Sequence, residues 1–160
     1  MLKKKELEFT INNNILEVED FAWFIDKINT IYISRSQTYD YKNCYAIYIQ
    51  TNNETVRLYY LTKDIKSILK QFRLLCSALN SVKPEFKMYE AICFNFANAK
   101  NFEHFYVKDS FKESSRNFEY EAVVTAISKG GMVVNFRVSK EDLQDIKANL
   151  QQDNETSVAQ

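Results

Sequence analysis

Between Thr62 and Asn80 apolar residues fall at Ile65, Ile68, Leu69, Phe72, Leu75, Cys76 and Leu79, the spacing that lines one face of an α-helix. Lys63, Lys66, Ser67, Lys70, Gln71 and Arg73 fill the opposite face. Thr62 is placed to cap the first turn, Asp64 suits the positive end of the helix dipole, and Pro84 discourages continuation. At 1.5 Å per residue this gives a rod of roughly 28 Å, long enough to cover a small sheet.

Elsewhere the period is two. Leu7, Phe9 and Ile11 alternate with Glu6, Glu8 and Thr10, the signature of a strand with one wet face. Asn12 to Asn14 make a turn, and Ile15, Leu16 and Val18 lead to a continuously apolar patch, Phe21 to Ile25, which is expected to be buried as strand or short helix. Ile31 and Ile33 alternate with Tyr32, after which Ser34 to Asn43 read as a polar loop. Tyr45, Ile47 and Ile49 pair through a turn at Asn52 and Asn53 with Val56, Leu58 and Tyr60. Beyond Pro84, Phe86, Met88, Ile92, Phe94 and Phe96 suggest one strand with an irregularity near Glu90, and Phe105 with Val107 a second. Phe118 to Ala126 and Met132 to Val138 flank a turn at Lys129, Gly130 and Gly131. Ser139 then caps a second helix with the stripe Leu143, Ile146 and Leu150.

The order of elements repeats. Ile28, Ile31, Tyr32 and Ile33 match Phe102, Phe105, Tyr106 and Val107, each copy continues into a polar, aromatic loop, and Thr62, Lys63, Asp64 correspond to Ser139, Lys140, Glu141 at the helix caps. Ala46 and Ile47 align with Ala122 and Val123 between them. The expected fold is α+β, with antiparallel sheets each followed by a C-terminal helix and duplicated in tandem. One unit spans 1–83, a second spans 84–150 and packs on the first, and 151–160 form a disordered tail. This order resembles the topology of pleckstrin-homology-like domains and of the strand-rich repeats of Pur-type single-strand binders. No motif of either family is matched residue for residue, so no binding residue is carried over.

Composition then narrows the function. Two glycines and one proline leave little for a phosphate-cradling loop. Basic and acidic side chains balance at 21 each, which gives the whole chain no pull toward nucleic acid or anionic membrane. Residues 1–83 carry 12 basic and 9 acidic groups, and 84–160 the reverse, so the halves differ in sign. Cys44, Cys76 and Cys93 are odd in number and lack C-x-x-C spacing, which argues against a disulfide framework or zinc site and fits a reducing compartment. Lys3 to Lys5 are followed at once by Glu6 and Glu8 with no apolar run, so the expectation is a cytoplasmic protein without a membrane span.

Histidine-based catalysis would need His104, the single histidine, and no serine or cysteine motif accompanies it. Carboxylates cluster at Glu17, Glu19 and Asp20 and at Glu119 with Glu121; the second pair, on one face of a strand, reads as a wet face rather than a metal or acid/base site. No catalytic residue, cofactor or metal is assigned. Aromatic residues stand out instead. The two matched loops hold Arg35, Tyr39, Tyr41 and Lys42 in one copy and Phe111, Lys112 and Arg116 in the other, residue types that anchor protein interfaces. Tyr32, Tyr48 and Tyr59 with Arg57 form a second candidate: a contact inside the molecule or a homodimer, a surface for a protein partner, or an aromatic platform for stacked bases. The function expected is a non-enzymatic protein-interaction module of adaptor, immunity or inhibitor type. A single-stranded nucleic-acid binder is the alternative.

Overall fold

The computed structural model describes residues 6–36, 44–108 and 122–158. Its strands are β1 (Phe9–Asn12), β2 (Ile15–Val18), β3 (Phe21–Phe24), β4 (Thr30–Ser36), β5 (Cys44–Gln50), β6 (Thr55–Thr62), β7 (Phe86–Tyr89), β8 (Ile92–Asn95), β9 (Phe102–Lys108), β10 (Ala122–Ser128) and β11 (Val133–Val138). Helix α1 (Ile65–Val82) follows β6 and α2 (Lys140–Val158) follows β11; two 3-10 turns, Ile25–Lys27 and Phe96–Asn101, precede β4 and β9. The fold is α+β with antiparallel sheets. Among the described residues no helix is long and apolar enough to cross a membrane.

The described residues form three sheets, in the orders β1-β2-β3, β6-β5-β4-β8-β7 and β11-β10-β9. The five-stranded sheet takes strands from both sides of residue 83, because β8 pairs with β4 through Thr30 to Phe94, Ile31 to Cys93 and Tyr32 to Ile92. Alternation along these strands sends neighbouring side chains to opposite faces. On one face Ile31, Ile47, Ile49, Leu58 and Cys93 join Ile68, Phe72, Leu75 and Leu79 of α1, with Leu16, Val18 and Trp23 of the first sheet. On the other, Ile92 and Phe94 join Phe96, Phe102 and Val134 with Ile146 and Leu150 of α2. All four residues of β8 are buried, since it has a core on each side.

That double burial corrects the single strand expected over Phe86–Phe96. The segment is a hairpin, and its apolar residues do not alternate because both faces of β8 are covered; Phe96 lies in the 3-10 turn, and Met88, expected inside, is 41 % exposed on edge strand β7. α1 is displaced as well. It starts at Ile65, Asp64 is the N-cap with its carboxylate accepting from Lys66 N at 3.0 Å, and Thr62 ends β6 while its hydroxyl accepts from Asp64 N. Gln71, expected on the wet face, is buried and accepts from Leu7 N at 3.2 Å. Ser34 to Ser36 belong to β4 and not to a loop. α2 continues through Val158, past the end of its apolar stripe.

Candidate functional site

The β2–β3 hairpin turns through Glu19 and Asp20, with Glu19 at φ 55 in the left-handed region. Residues along an antiparallel pair alternately bond the neighbouring strand and turn away from it. Ile25 N donates to Asn14 O at 2.8 Å and sets the phase, so Trp23 and Phe21 face β2 while the N–H groups of Ala22 and Phe24 point outward. Among the described residues no strand takes that outer edge. The second hairpin is built alike, with Tyr89 and Ile92 flanking its turn, and its corresponding edge is occupied: Asn95 N donates to Asn29 O at 2.9 Å, and Ala91 O accepts from Ile33 N at 3.0 Å.

Ala22, Trp23 and Phe24 form one wall of a cleft of about 640 Å³. The expectation of a continuously buried patch at Phe21 to Ile25 is corrected here. The patch is a strand with alternating burial, in which Trp23 is 7 % exposed and Phe24 61 %, because only one face meets the core. The Trp23 indole N–H donates to no group among the described residues. Asp26 and Lys27 come from the 3-10 turn after β3, and Lys100 and Asn101 from the turn before β9; both lysines are exposed. Among the described residues that line the cleft, two cations stand against one carboxylate.

The remaining wall is held by asparagines. Asn29, fully buried, donates from Nδ2 to Asn52 Oδ1 at 2.7 Å, and its own Oδ1 accepts from Asn98 Nδ2 at 3.3 Å and Asn101 Nδ2 at 3.2 Å. Asn98 Nδ2 also donates to Asp26 O at 2.7 Å. These directions leave Asn52 Nδ2 and Asn101 Oδ1, both on the cleft, without a partner among the described residues. The Asn52–Asn53 turn is braced from behind by the β10–β11 turn. Ser128 Oγ donates to Asn52 O, and a Cβ on Gly130 would stand 1.7 Å from that same oxygen. Sequence reasoning read Asn52 and Asn53 only as a turn and missed Asn29, Asn98 and Asn101; the asparagines spaced by three at 95, 98 and 101 were the available signal.

Of the residues singled out from sequence, Tyr39, Tyr41, Lys42, Phe111, Lys112 and Arg116 lie outside the described residues, as do Glu119 and Glu121. Arg35 sits in β4 opposite Tyr45 of β5. Arg57, Tyr48 and Tyr32 form one cross-strand row that continues to Ile92 and Tyr89. The Tyr32 and Tyr48 rings stack at 5.3 Å and 13°, and Tyr32 packs against the core beneath α2. Burial, and then the neighbouring Tyr48, hold the Tyr32 hydroxyl above its ordinary pKa. Tyr59 belongs to β6. No protein-family model, curated protein or solved structure matches the chain.

Proposed function

We propose that this chain is a non-enzymatic interaction module that binds another protein, built by duplication of a hairpin, three-strand meander and helix. The backbone registers support the duplication. Ile31 faces Ile49 as Phe105 faces Ala126, and Ile33 faces Ile47 as Val107 faces Val124, at constant steps of 74 and 77 residues. That step pairs Ala46 with Val123, one residue from the alignment read in the sequence. The PH-like or Pur-like order of elements agrees with this reading.

One observation carries the function. The edge of β8 is used to complete the five-stranded sheet, whereas among the described residues no strand takes the equivalent edge of β3, which runs along a cleft. An open edge beside a formed pocket is the means by which strand-adding domains capture partners. The segment carrying Tyr39 and Tyr41, read from the sequence as a polar loop, supplies a second contact; Tyr39→Ala with Tyr41→Ala should lower affinity by about 2 kcal/mol with an unchanged melt. The alternative, a single-stranded nucleic-acid binder on Tyr32, Tyr48, Arg57 and Tyr59, draws on the Tyr32–Tyr48 stack. It has less surface to work with, since Tyr32 packs on the second core.

The test is affinity capture of the full chain from extract of its native host, with and without nuclease treatment, followed by binding of the purified partner and sedimentation to detect a homodimer. A protein that binds directly supports the reading. Capture of nucleic acid alone, with steep salt dependence, would replace it.

A further inference from the structure

We infer that the cleft beside β3 takes an extended peptide segment bearing a carboxylate, added as a fourth strand to the first sheet. This rests on the protein-binding reading above and names the chemistry of the partner at that site. The backbone supplies the first requirement, because the N–H groups of Ala22 and Phe24 point away from β2 and meet no strand among the described residues. An incoming strand would bond them as β4 bonds the outer edge of β8, where Asn29 O accepts from Asn95 N.

Side chains define the occupant further. The Phe24 ring, 61 % exposed, stands on the outer face beside Ile15 of β2, which is 37 % exposed. A strand laid against β3 would place an apolar residue next to that pair, the commonest favourable cross-strand contact. Among the described residues that line the cleft, Lys27 and Lys100 exceed the one carboxylate of Asp26 and select an acidic side chain. Asn52 Nδ2 and Asn101 Oδ1 offer a donor and an acceptor to peptide groups beyond the edge, and the buried Asn29 network holds both in place before binding. At about 3.3 Å per residue, four residues of partner would span β3. A nucleic-acid strand would use the same lysines, but its phosphates carry no donor for the outward carbonyls of Ala22 and Phe24, which an added peptide strand would satisfy together with the N–H groups.

The experiment selects random linear peptides on the full-length protein and measures binding of the enriched peptides to three forms: the native chain, Ala22→Pro, and Lys27→Glu with Lys100→Glu. Proline at position 22 removes an outward N–H without touching the β2 ladder, so the hairpin is expected to survive. The expected result is enrichment of peptides alternating apolar and acidic residues, with affinity reduced roughly tenfold or more by each variant. Hydrogen exchange should slow at Ala22 and Phe24 on binding. If Ala22→Pro fails to fold, judged by its thermal melt, the lysine pair and the exchange data decide the matter. Peptides that bind equally well to folded variants, or protect other segments, overturn the cleft while leaving a protein-binding module intact. Absence of any peptide binding, together with binding of a twelve-nucleotide thymidine oligomer that the lysine variant abolishes, overturns both.

Discussion

Gly130 shows how one residue can fix the relation of two hairpins. The chain has two glycines; Gly131 answers a positive φ of 84, but Gly130 answers a close approach, since any Cβ there would collide with the Asn52 carbonyl. Backbone cannot step aside as a flexible side chain can. Gly130→Ala should cost about 1 to 3 kcal/mol, read as a lower melting temperature, and should loosen the Asn52 wall of the cleft. Gly131 has open space around it, so Gly131→Asn, a residue that tolerates the left-handed region, should cost less. Tyr89 gives a pH prediction. Its hydroxyl donates to the Asp145 carboxylate, and burial first, then Asp145, raise its pKa above the ordinary value. The protonated phenol is therefore preferred in the folded state, so its contribution is complete below about pH 10 and declines as pH rises further. Tyr89→Phe should flatten this alkaline decline in melts compared at pH 8 and above pH 10, leaving the shares that belong to Tyr32 and to the buried Cys76 thiol, which burial and then Cys93 also hold above its ordinary pKa.

Among the elements, α1 is the one whose pattern and placement agree most closely. Phe72, Leu75 and Leu79 are fully buried against the five-stranded sheet. Phe72→Ala should cost about 3 to 5 kcal/mol, a large part of the stability of a chain this size, and a mutant that melts normally would remove α1 from the core. Its period was legible because one face meets apolar side chains and the other water. Gln71 was not legible, since its burial depends on Leu7, a residue 64 positions away whose N–H it satisfies. β3 and β8 make the same point for strands. Both are short apolar runs after a two-residue turn, and sequence gives no reason for one to be buried on both faces and the other to expose Phe24.

For the whole molecule, the decisive contact is β8 on β4. Phe86 and Cys93 belong to the same core as α1, so residues 1–83 lack part of their own interior. A fragment ending at Lys83 should show no cooperative melt, and mixing it with residues 84–160 should restore one. Independent folding of the first fragment would mean that the added strands contribute little. Helix periodicity, most strand positions and the two hairpin turns were determined by the sequence alone, because each depends on neighbours a few residues apart. Which hairpin edge is filled, which face of the tyrosine row is covered, and where Asn29, Asn52, Asn98 and Asn101 meet were decided only by tertiary structure. Those outcomes rest on hydrogen bonds between groups from about 20 to over 70 positions apart, and a linear pattern carries no record of which distant backbone will satisfy a given donor.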